Sequence, residues 1–472
     1  MKKLFMILGM FLSFTLVAAA CGSTIEDAAD TATDAASDAA DAAEEVVEDA
    51  MEDDEEDAME EDAMEEEDAM EDDAMAEHLG DGSLGTVVVE AGAEVQIRSL
   101  NAISGDVAFL GVPNQRGVEQ AVVDYGPIKG FDVTSGQGLD DLCSADGGQA
   151  AAQQIVADEQ IVGVIGTSCS GAATAAAPLI SAAGMVMISG SNTSPALTSD
   201  QQGNAGPDYH VGYYRTAHND LFQGAAMAEF VFSSLGLTTA AAIHDGDPYT
   251  EGLANAFANA FEELGGTVTT VTGVAKEDTD MVPVLTEIAA GSPEALFFPI
   301  FQPAGDFVAD QAPSVPGLES TTLLAADGLL NDGFMGLAQS EGMHFSGPDT
   351  RFGTNTNEST GVSAEEFLAT YEANNGEAPA APFWGHSYDA TAMLLDAIDA
   401  ASWVDGDGNL NIDRQGVRDH LNGIQGYSGL IGTINCDDFG DCGSQKITVI
   451  LHNDSGDIPG SLENVVFEYA PQ

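Results

Sequence analysis

From about residue 93 onward, short apolar runs rich in β-branched residues alternate with longer stretches whose apolar positions recur at helical spacing. The pattern predicts strands at 95–100, 131–134, 161–165 and 185–189, with helices at 118–125, 149–157 and 172–182 between them. After about residue 216 the alternation resumes: helices at 221–235, 251–264, 281–290 and 304–311, strands at 239–243, 267–271, 295–298 and 321–325. Strands alternating with helices of these lengths imply parallel sheets of the α/β class. About ten strands are too many for one small sheet, so two doubly wound lobes are expected, with ligands bound outside the carboxyl ends of the strands.

The first 78 residues lack this pattern. Lys2 and Lys3 precede an apolar run at 4–17, too short to span a bilayer and suited to the core of an export signal. Ala18-Ala19-Ala20 then lead to Cys21, which looks like a bacterial lipobox with Ala18 where Leu is preferred. The expectation is a signal peptide over 1–20 and a diacylated thiol at Cys21, anchoring an extracytoplasmic protein to the membrane by lipid alone. Residues 21–78 read as an acidic tether: from Thr24 to His78 there are 27 Asp/Glu, no Lys or Arg and no aromatic residue. Glu-Asp-Ala-Met recurs at 48–51, 56–59, 61–64 and 67–70. With nothing to repay ordering entropy, and with like charges repelling, a disordered spacer is expected; metal capture by the acidic run lacks rigid geometry to support it.

Charge narrows the partners. The 472 residues carry 11 Lys+Arg and 79 Asp+Glu, a formal charge of −68, which excludes nucleic acid and a polybasic membrane contact. Residues 79–472 alone hold nine Lys/Arg against 52 Asp/Glu, which suggests a saline habitat. Without Cys21 four cysteines remain. Cys436 and Cys442 flank a tight Asp-Asp-Phe-Gly-Asp turn and are expected to pair, leaving Cys143 to pair with Cys169; metal binding by the four is the competing reading.

Enzyme constellations are incomplete. Gly385-His386-Ser387-Tyr388-Asp389 and Gly166-Thr167-Ser168-Cys169-Ser170 both lack the closing glycine of a nucleophile elbow. There is no phosphate-binding Walker loop and no His-Glu-x-x-His spacing. Asp405-Gly406-Asp407-Gly408-Asn409 starts like a calcium loop, but Leu410 replaces the needed glycine and Gly416 the bidentate acid. No catalytic residue, metal or cofactor is therefore expected.

The binding chemistry is better marked. Gly166–Gly171 follows a strand and opens a helix, and Ser189–Pro195 follows the next strand. Two hydroxyl-rich loops at one sheet edge, with helix N–H groups, can hold a carboxylate without any cation. Asp327 follows the strand at 321–325, placed to accept an ammonium, with Tyr249 and Phe301 after neighbouring strands. Such a site suits an α-amino acid with an apolar side chain.

Several motifs, in order, resemble one family. They are Ile103-Ser104-Gly105, Ile128-Lys129-Gly130, Asp140-Asp141 with Cys143, Ile165-Gly166 with Cys169-Ser170, and Met187-Ile188-Ser189 with Thr193 and Pro195. Arg215-Thr216, Ile243-His244-Asp245 with Tyr249, Glu251-Gly252-Leu253-Ala254 and Tyr388-Asp389-Ala390 follow. Over residues 93–452 the chain is similar to the extracytoplasmic substrate-binding proteins of branched-chain amino-acid ABC transporters, of the leucine/isoleucine/valine-binding type. The resemblance implies two α/β lobes joined by a three-crossover hinge, at 79–217 plus 348–445 and 218–347 plus 446–472. It implies the Cys143–Cys169 bridge, Ser170 and Thr193 on the ligand carboxylate, the Ser191 carbonyl and Asp327 on the ammonium, and Tyr249 covering the ligand. Leu110 and Phe301 stand about where some members have Tyr, beside Cys169, and make the pocket less polar; Asn192 is unusual for its position, and Trp384 is a candidate for the cleft wall or the core. The expected function is capture of an amino acid and delivery to an ABC permease by a monomeric receptor. An amide or urea binder of the same family and an extracellular sensor are the alternatives.

Overall fold

The computed structural model describes residues 78–470. The expected signal peptide, Cys21 and the acidic segment through residue 77 lie outside them. Elements are labelled in chain order. After β1 (Thr86–Val89), one lobe is built from β2 (Val95–Asn101), α1 (Ala108–Tyr125), β3 (Val133–Thr134), β4 (Leu139–Asp140), α2 (Ala145–Val156), β5 (Ile161–Gly166), α3 (Ser170–Ala182), β6 (Val186–Ser189) and β7 (Tyr213–Arg215). The chain then enters a second lobe: α4 (Asp220–Glu229), β8 (Thr239–His244), α5 (Pro248–Glu263), β9 (Thr267–Gly273), α6 (Val282–Ala289), β10 (Ala295–Phe297), α7 (Ala304–Gln311), β11 (Thr322–Ala325), α8 (Asp332–Met335) and β12 (His344–Pro348). It returns to the first lobe through α9 (Ala364–Asn375), α10 (Trp384–Ala400), the hairpin β13 (Ser402–Val404) and β14 (Leu410–Asp413), α11 (Arg414–Asn422), β15 (Gln425–Gly429) and β16 (Gly432–Asn435). A last crossing adds β17 (Ile447–Leu451), α12 (Ile458–Glu463) and β18 (Val465–Tyr469) to the second lobe.

The first sheet runs β3-β2-β5-β6-β7, all parallel, with β4 also on β2. The second runs β18-β17-β12-β11-β10-β8-β9; β17 alone runs antiparallel to the others, between β12 and β18. Every residue of β5 and β6 is buried, because helices cover both faces. Alternation along β8 shows the same arrangement in the second lobe: Ala240 and Ala242 pack with Phe257 and Phe297, whereas Ala241 and Ile243 pack with Leu285, Leu296 and Phe298.

The predicted alternation of strand and helix is present throughout 95–325, as a two-lobed α/β fold. Three local readings differ. The helix expected at 118–125 begins at Ala108, its first half disguised by Gly111, Pro113 and Gly117. Those glycines answer to packing: a Cβ on Gly111 would lie 1.9 Å from the Ala102 carbonyl oxygen, and one on Gly117 2.6 Å from that of Trp384. The strand expected at 131–134 shortens to β3, since Ile128 and Phe131 close a bridge on each other. The helix expected at 221–235 becomes α4 followed by a wider π turn at Phe230–Ser234.

Cys143 bonds to Cys169 and Cys436 to Cys442, the pairing expected. The Asp405–Asn409 loop is the turn of the β13–β14 hairpin. Its Asp405 carboxylate accepts bonds from the Asp407 and Asn409 backbone N–H groups and from the Asn411 amide.

The three crossings are tied together. The first and third share backbone bonds, Arg215 N–H to Gly440 O and Cys442 N–H to Arg215 O, both 2.9 Å. Arg215, wholly buried, pairs with Asp441 and donates to the Ser194 carbonyl at 2.8 Å. Asp349, in the second crossing, pairs with Lys446 in the third at 3.2 Å.

Candidate ligand-binding cleft

The carboxyl ends of both sheets meet at one cavity. Leu110 on α1, Ser168, Cys169 and Ser170 at the β5–α3 turn, Ser191 after β6 and Phe383 before α10 form the first lobe's side. Tyr249 at the start of α5, Phe301 after β10, and Asp327 and Gly328 after β11 form the other. Seven of the predicted site residues thus come together: Leu110, Cys169, Ser170, Ser191, Tyr249, Phe301 and Asp327. Thr193 lies just behind this lining; it is buried and its hydroxyl makes no hydrogen bond. The free volume is about 10 Å³, the scale of one water molecule, so entry of any amino acid requires the lobes to part.

The first lobe's loops are held by buried polar groups. Asp141 accepts the backbone N–H groups of Cys143 and Ser168, both at 2.7 Å, and so braces the two disulfide-bearing turns. Burial raises its carboxyl to about 7. Ser189 Oγ donates to the Thr167 carbonyl and accepts from the Ser191 and Asn192 backbone N–H groups. Ser191 Oγ donates to the Ser168 carbonyl at 3.0 Å and accepts from Asn114 Nδ2. The Asn192 side chain turns away from the cleft, accepting from Thr167 Oγ1 and Tyr213 OH. Ser170 opens α3, whose positive end favours an anion; the Gly171 N–H of that first turn is bonded to the Asp247 carboxylate.

The second lobe presents acid. Asp327, 4% exposed, accepts from Gln223 Nε2 at 2.6 Å and from Tyr249 OH at 3.2 Å, and Tyr249 OH accepts the Gly328 N–H. Burial raises the Asp327 carboxyl to about 6, against the lowering effect of the Gln223 and Tyr249 bonds. Beside it stands Asp220, the first residue of α4, wholly buried, with neither carboxylate oxygen in a hydrogen bond. The nearby Thr193 hydroxyl favours its charged form without reaching hydrogen-bond geometry; burial, and then the Asp327 charge, hold the carboxyl well above its usual range. Gln223 is also bonded to the His218 ring, in the first crossing.

Asp220, Gln223, Phe383 and Gly328 were not singled out from the sequence, and Ser168 only as part of the Gly166–Gly171 loop. Asp220 had a visible signal, an acid five residues beyond the quoted Arg215-Thr216 motif, but an acid opening a helix reads first as a partner of the helix dipole. Trp384, the alternative wall residue, belongs to the core, stacked on Phe367 at 4.7 Å between ring centroids; its neighbour Phe383 reaches the cavity instead. Among the described residues no group of three or more His, Cys, Asp or Glu is placed to hold a metal ion, and no helix is long and apolar enough to cross a membrane. The arrangement opposes the serines at the start of α3 and after β6 to the buried Asp327 carboxylate, across a space with aromatic and aliphatic walls, with Asp220 buried behind the lining.

Comparison with known proteins agrees with this geometry. A Leu/Ile/Val-binding protein homologue from Brucella melitensis biotype 1 is 27% identical over 368 residues, 77% of this chain and 92% of that one. A leucine-specific-binding protein from Salmonella typhimurium is 28% identical over 213 residues, 44% of this chain and 55% of its own length. Among solved structures, a leucine-binding protein from Thermotoga maritima superposes with a TM-score of 0.67 at 25% identity, covering 80% of this chain and 99% of that one. A branched-chain amino-acid substrate-binding protein from Streptococcus pneumoniae, solved with isoleucine, shares the fold at a TM-score of 0.62 and 20% identity, over 80% of this chain and 99% of that one. The profile of the periplasmic binding protein family matches residues 94–447, three quarters of the chain, so the protein belongs to that family of two-lobed binding proteins and is not an enzyme.

Proposed function

We propose that the protein captures an α-amino acid with an apolar, branched-chain type of side chain and delivers it to the permease of an ABC transporter. The observation that carries this reading is Asp327, buried in the cavity wall with no cation paired to it and with the buried Asp220 close by, facing Ser168, Ser170 and Ser191 of the first lobe. Buried carboxylates ionise only when paired, and a ligand ammonium supplies the partner. The ligand carboxylate then meets neutral donors, and Leu110, Phe301 and Phe383 surround the side chain. The names of the relatives point to the same ligand class. The lobes take the boundaries 79–217 plus 348–445 and 218–347 plus 446–472. In this reading the receptor works as a monomer on the extracytoplasmic side, held to the membrane by a diacylglycerol on Cys21.

Isothermal calorimetry of the whole chain against the amino acids tests it. One apolar amino acid should bind, and Asp327→Ala should weaken it about 30- to 100-fold, the effect of losing a buried charged partner. Heat from none of the amino acids, or unchanged affinity in Asp327→Ala, overturns the assignment.

A further inference from the structure

Three lysines occur after residue 78, and one of them, Lys276, is at the mouth of the cleft. It leaves the second lobe just beyond β9 and reaches three groups at once. Its Nζ donates to Asp247 Oδ2 at 3.0 Å and to the Cys143 carbonyl of the first lobe at 3.1 Å, and it lies over the Phe301 ring, 5.1 Å from the centroid. Asp247 is itself a bridge. It caps α5 by accepting the Tyr249 N–H at 3.0 Å, and the same oxygen accepts the Gly171 N–H at 3.3 Å, in the first turn of α3 on the opposite lobe. One carboxylate thus meets the starts of two helices on different lobes, where the helix dipoles favour negative charge.

We propose that Lys276 is a positioning residue that clasps the lobes shut, through Asp247 and the Cys143 carbonyl, and sets the residence time of the ligand. The proposal rests on the two-lobed binding reading but not on the identity of the ligand. Asp247 stands near Asp220 and Asp245 of its own lobe, and closure brings it up to a first lobe with no basic side chain lining this edge of the cavity. The ammonium of Lys276 offsets that crowding, and its contact with Phe301 fixes one wall of the pocket. Asp247 is 3% exposed and Lys276 29%, so the pair is screened by salt only in part. Gly171 belongs to the same device: a Cβ there would lie 2.5 Å from Asp247 Oδ2 and 3.3 Å from Pro248 Cδ, both on the other lobe. Its absence lets the lobes meet.

Hydrogen exchange on the ligand-free whole chain reads the clasp directly, through the backbone amides of 169–173. In Lys276→Met, which keeps the stem and removes the charge, these amides should exchange about tenfold faster, as expected for a partly exposed pair bridging two bodies. Amides of β5 and β8 should stay protected as in the natural protein, which shows that the fold is intact. Lys276→Arg should restore slow exchange. Gly171→Ala should open the same segment with the charge in place, although alanine favours the helix itself. For ligand, stopped-flow release of L-leucine should be about tenfold faster in Lys276→Met with little change in association rate. Natural exchange rates over 169–173 in both Lys276→Met and Gly171→Ala overturn the clasp. If exchange responds but L-leucine binds neither protein, the clasp stands and the amino-acid reading fails.

Discussion

Asp327 and Asp220 decide how the site responds to acid. Burial lifts Asp327 to about 6 and Asp220 well above the usual carboxylate range, and the Asp327 charge raises Asp220 further. Other charged groups nearby are committed elsewhere: Arg215 to Asp441, and Asp247 to Lys276. His218, which bonds Gln223, is lowered to about 4 by burial and stays neutral. The unliganded pair therefore favours holding a proton, and an arriving ammonium must displace it. The sign follows. A folded-state value above the ordinary 3.8 means that the free protein takes up protons as pH falls through about 6, whereas the complex resists doing so. Affinity should be highest above pH 7 and fall as pH drops through about 6, by up to about tenfold per pH unit. Calorimetry between pH 8 and pH 5 checks this; a flat profile removes Asp327 from the ammonium site. The unliganded fold should move the other way, gaining stability between those same values as the acids become neutral.

Elements differed in how readily the sequence revealed them, and the difference is physical. β5 and α3 were legible to within a few residues because an unbroken apolar run and an alanine-rich stretch leave one interpretation each. The hydroxyl loops after β5 and β6 were legible because Ser and Thr cluster beyond two successive strand ends, although Ser189 and Ser191 use their hydroxyls to hold the loops themselves. The first half of α1 was not, because glycine and proline carry no helical signal and the reason for Gly111 is a carbonyl on another element. Asp220 was missed for a similar reason: its importance lies in what faces it across the fold, Asp327 being 107 positions away in the chain. Gly111→Ala puts the α1 reading to a test. A methyl 1.9 Å from the Ala102 backbone must push α1 off β2, so the gain in helix propensity is outweighed by overpacking of about 1–3 kcal/mol. A lower urea midpoint with an unchanged slope is the expected result; a higher midpoint shows that α1 does not pack as described.

At the scale of the whole molecule, charge imbalance is the dominant feature. All nine Lys and Arg side chains after residue 78 are engaged. Seven pair with acids, Arg98, Arg116, Lys129, Arg215, Lys276, Arg351 and Lys446. Arg414 donates to the Glu159 carbonyl, and Arg418 to those of Ser181 and Met185. Against them stand 52 Asp/Glu, most of which have no cation to meet. Two salt effects then compete. Screening weakens the exposed pairs, each contributing at most about 1 kcal/mol. It also weakens the repulsion among the unpaired carboxylates, which are far more numerous and act over distances near the Debye length of about 10 Å at 0.1 M. The second effect should win, because the buried Arg215–Asp441 pair that ties the crossings is shielded from solvent and loses little. The melting temperature should therefore rise by several degrees between 0.05 M and 2 M sodium chloride, and do so equally with potassium chloride, since screening depends on ionic strength and not on which monovalent cation supplies it. The clasp at Lys276, 29% exposed, responds in the opposite sense, so ligand release should quicken over the same range in which the fold becomes more stable. Scanning calorimetry and stopped-flow release measured in the same buffers separate the two. A melting temperature that stays level or falls with salt would mean that the acids are paired by contacts other than those described, and that self-repulsion does not set the stability of this domain.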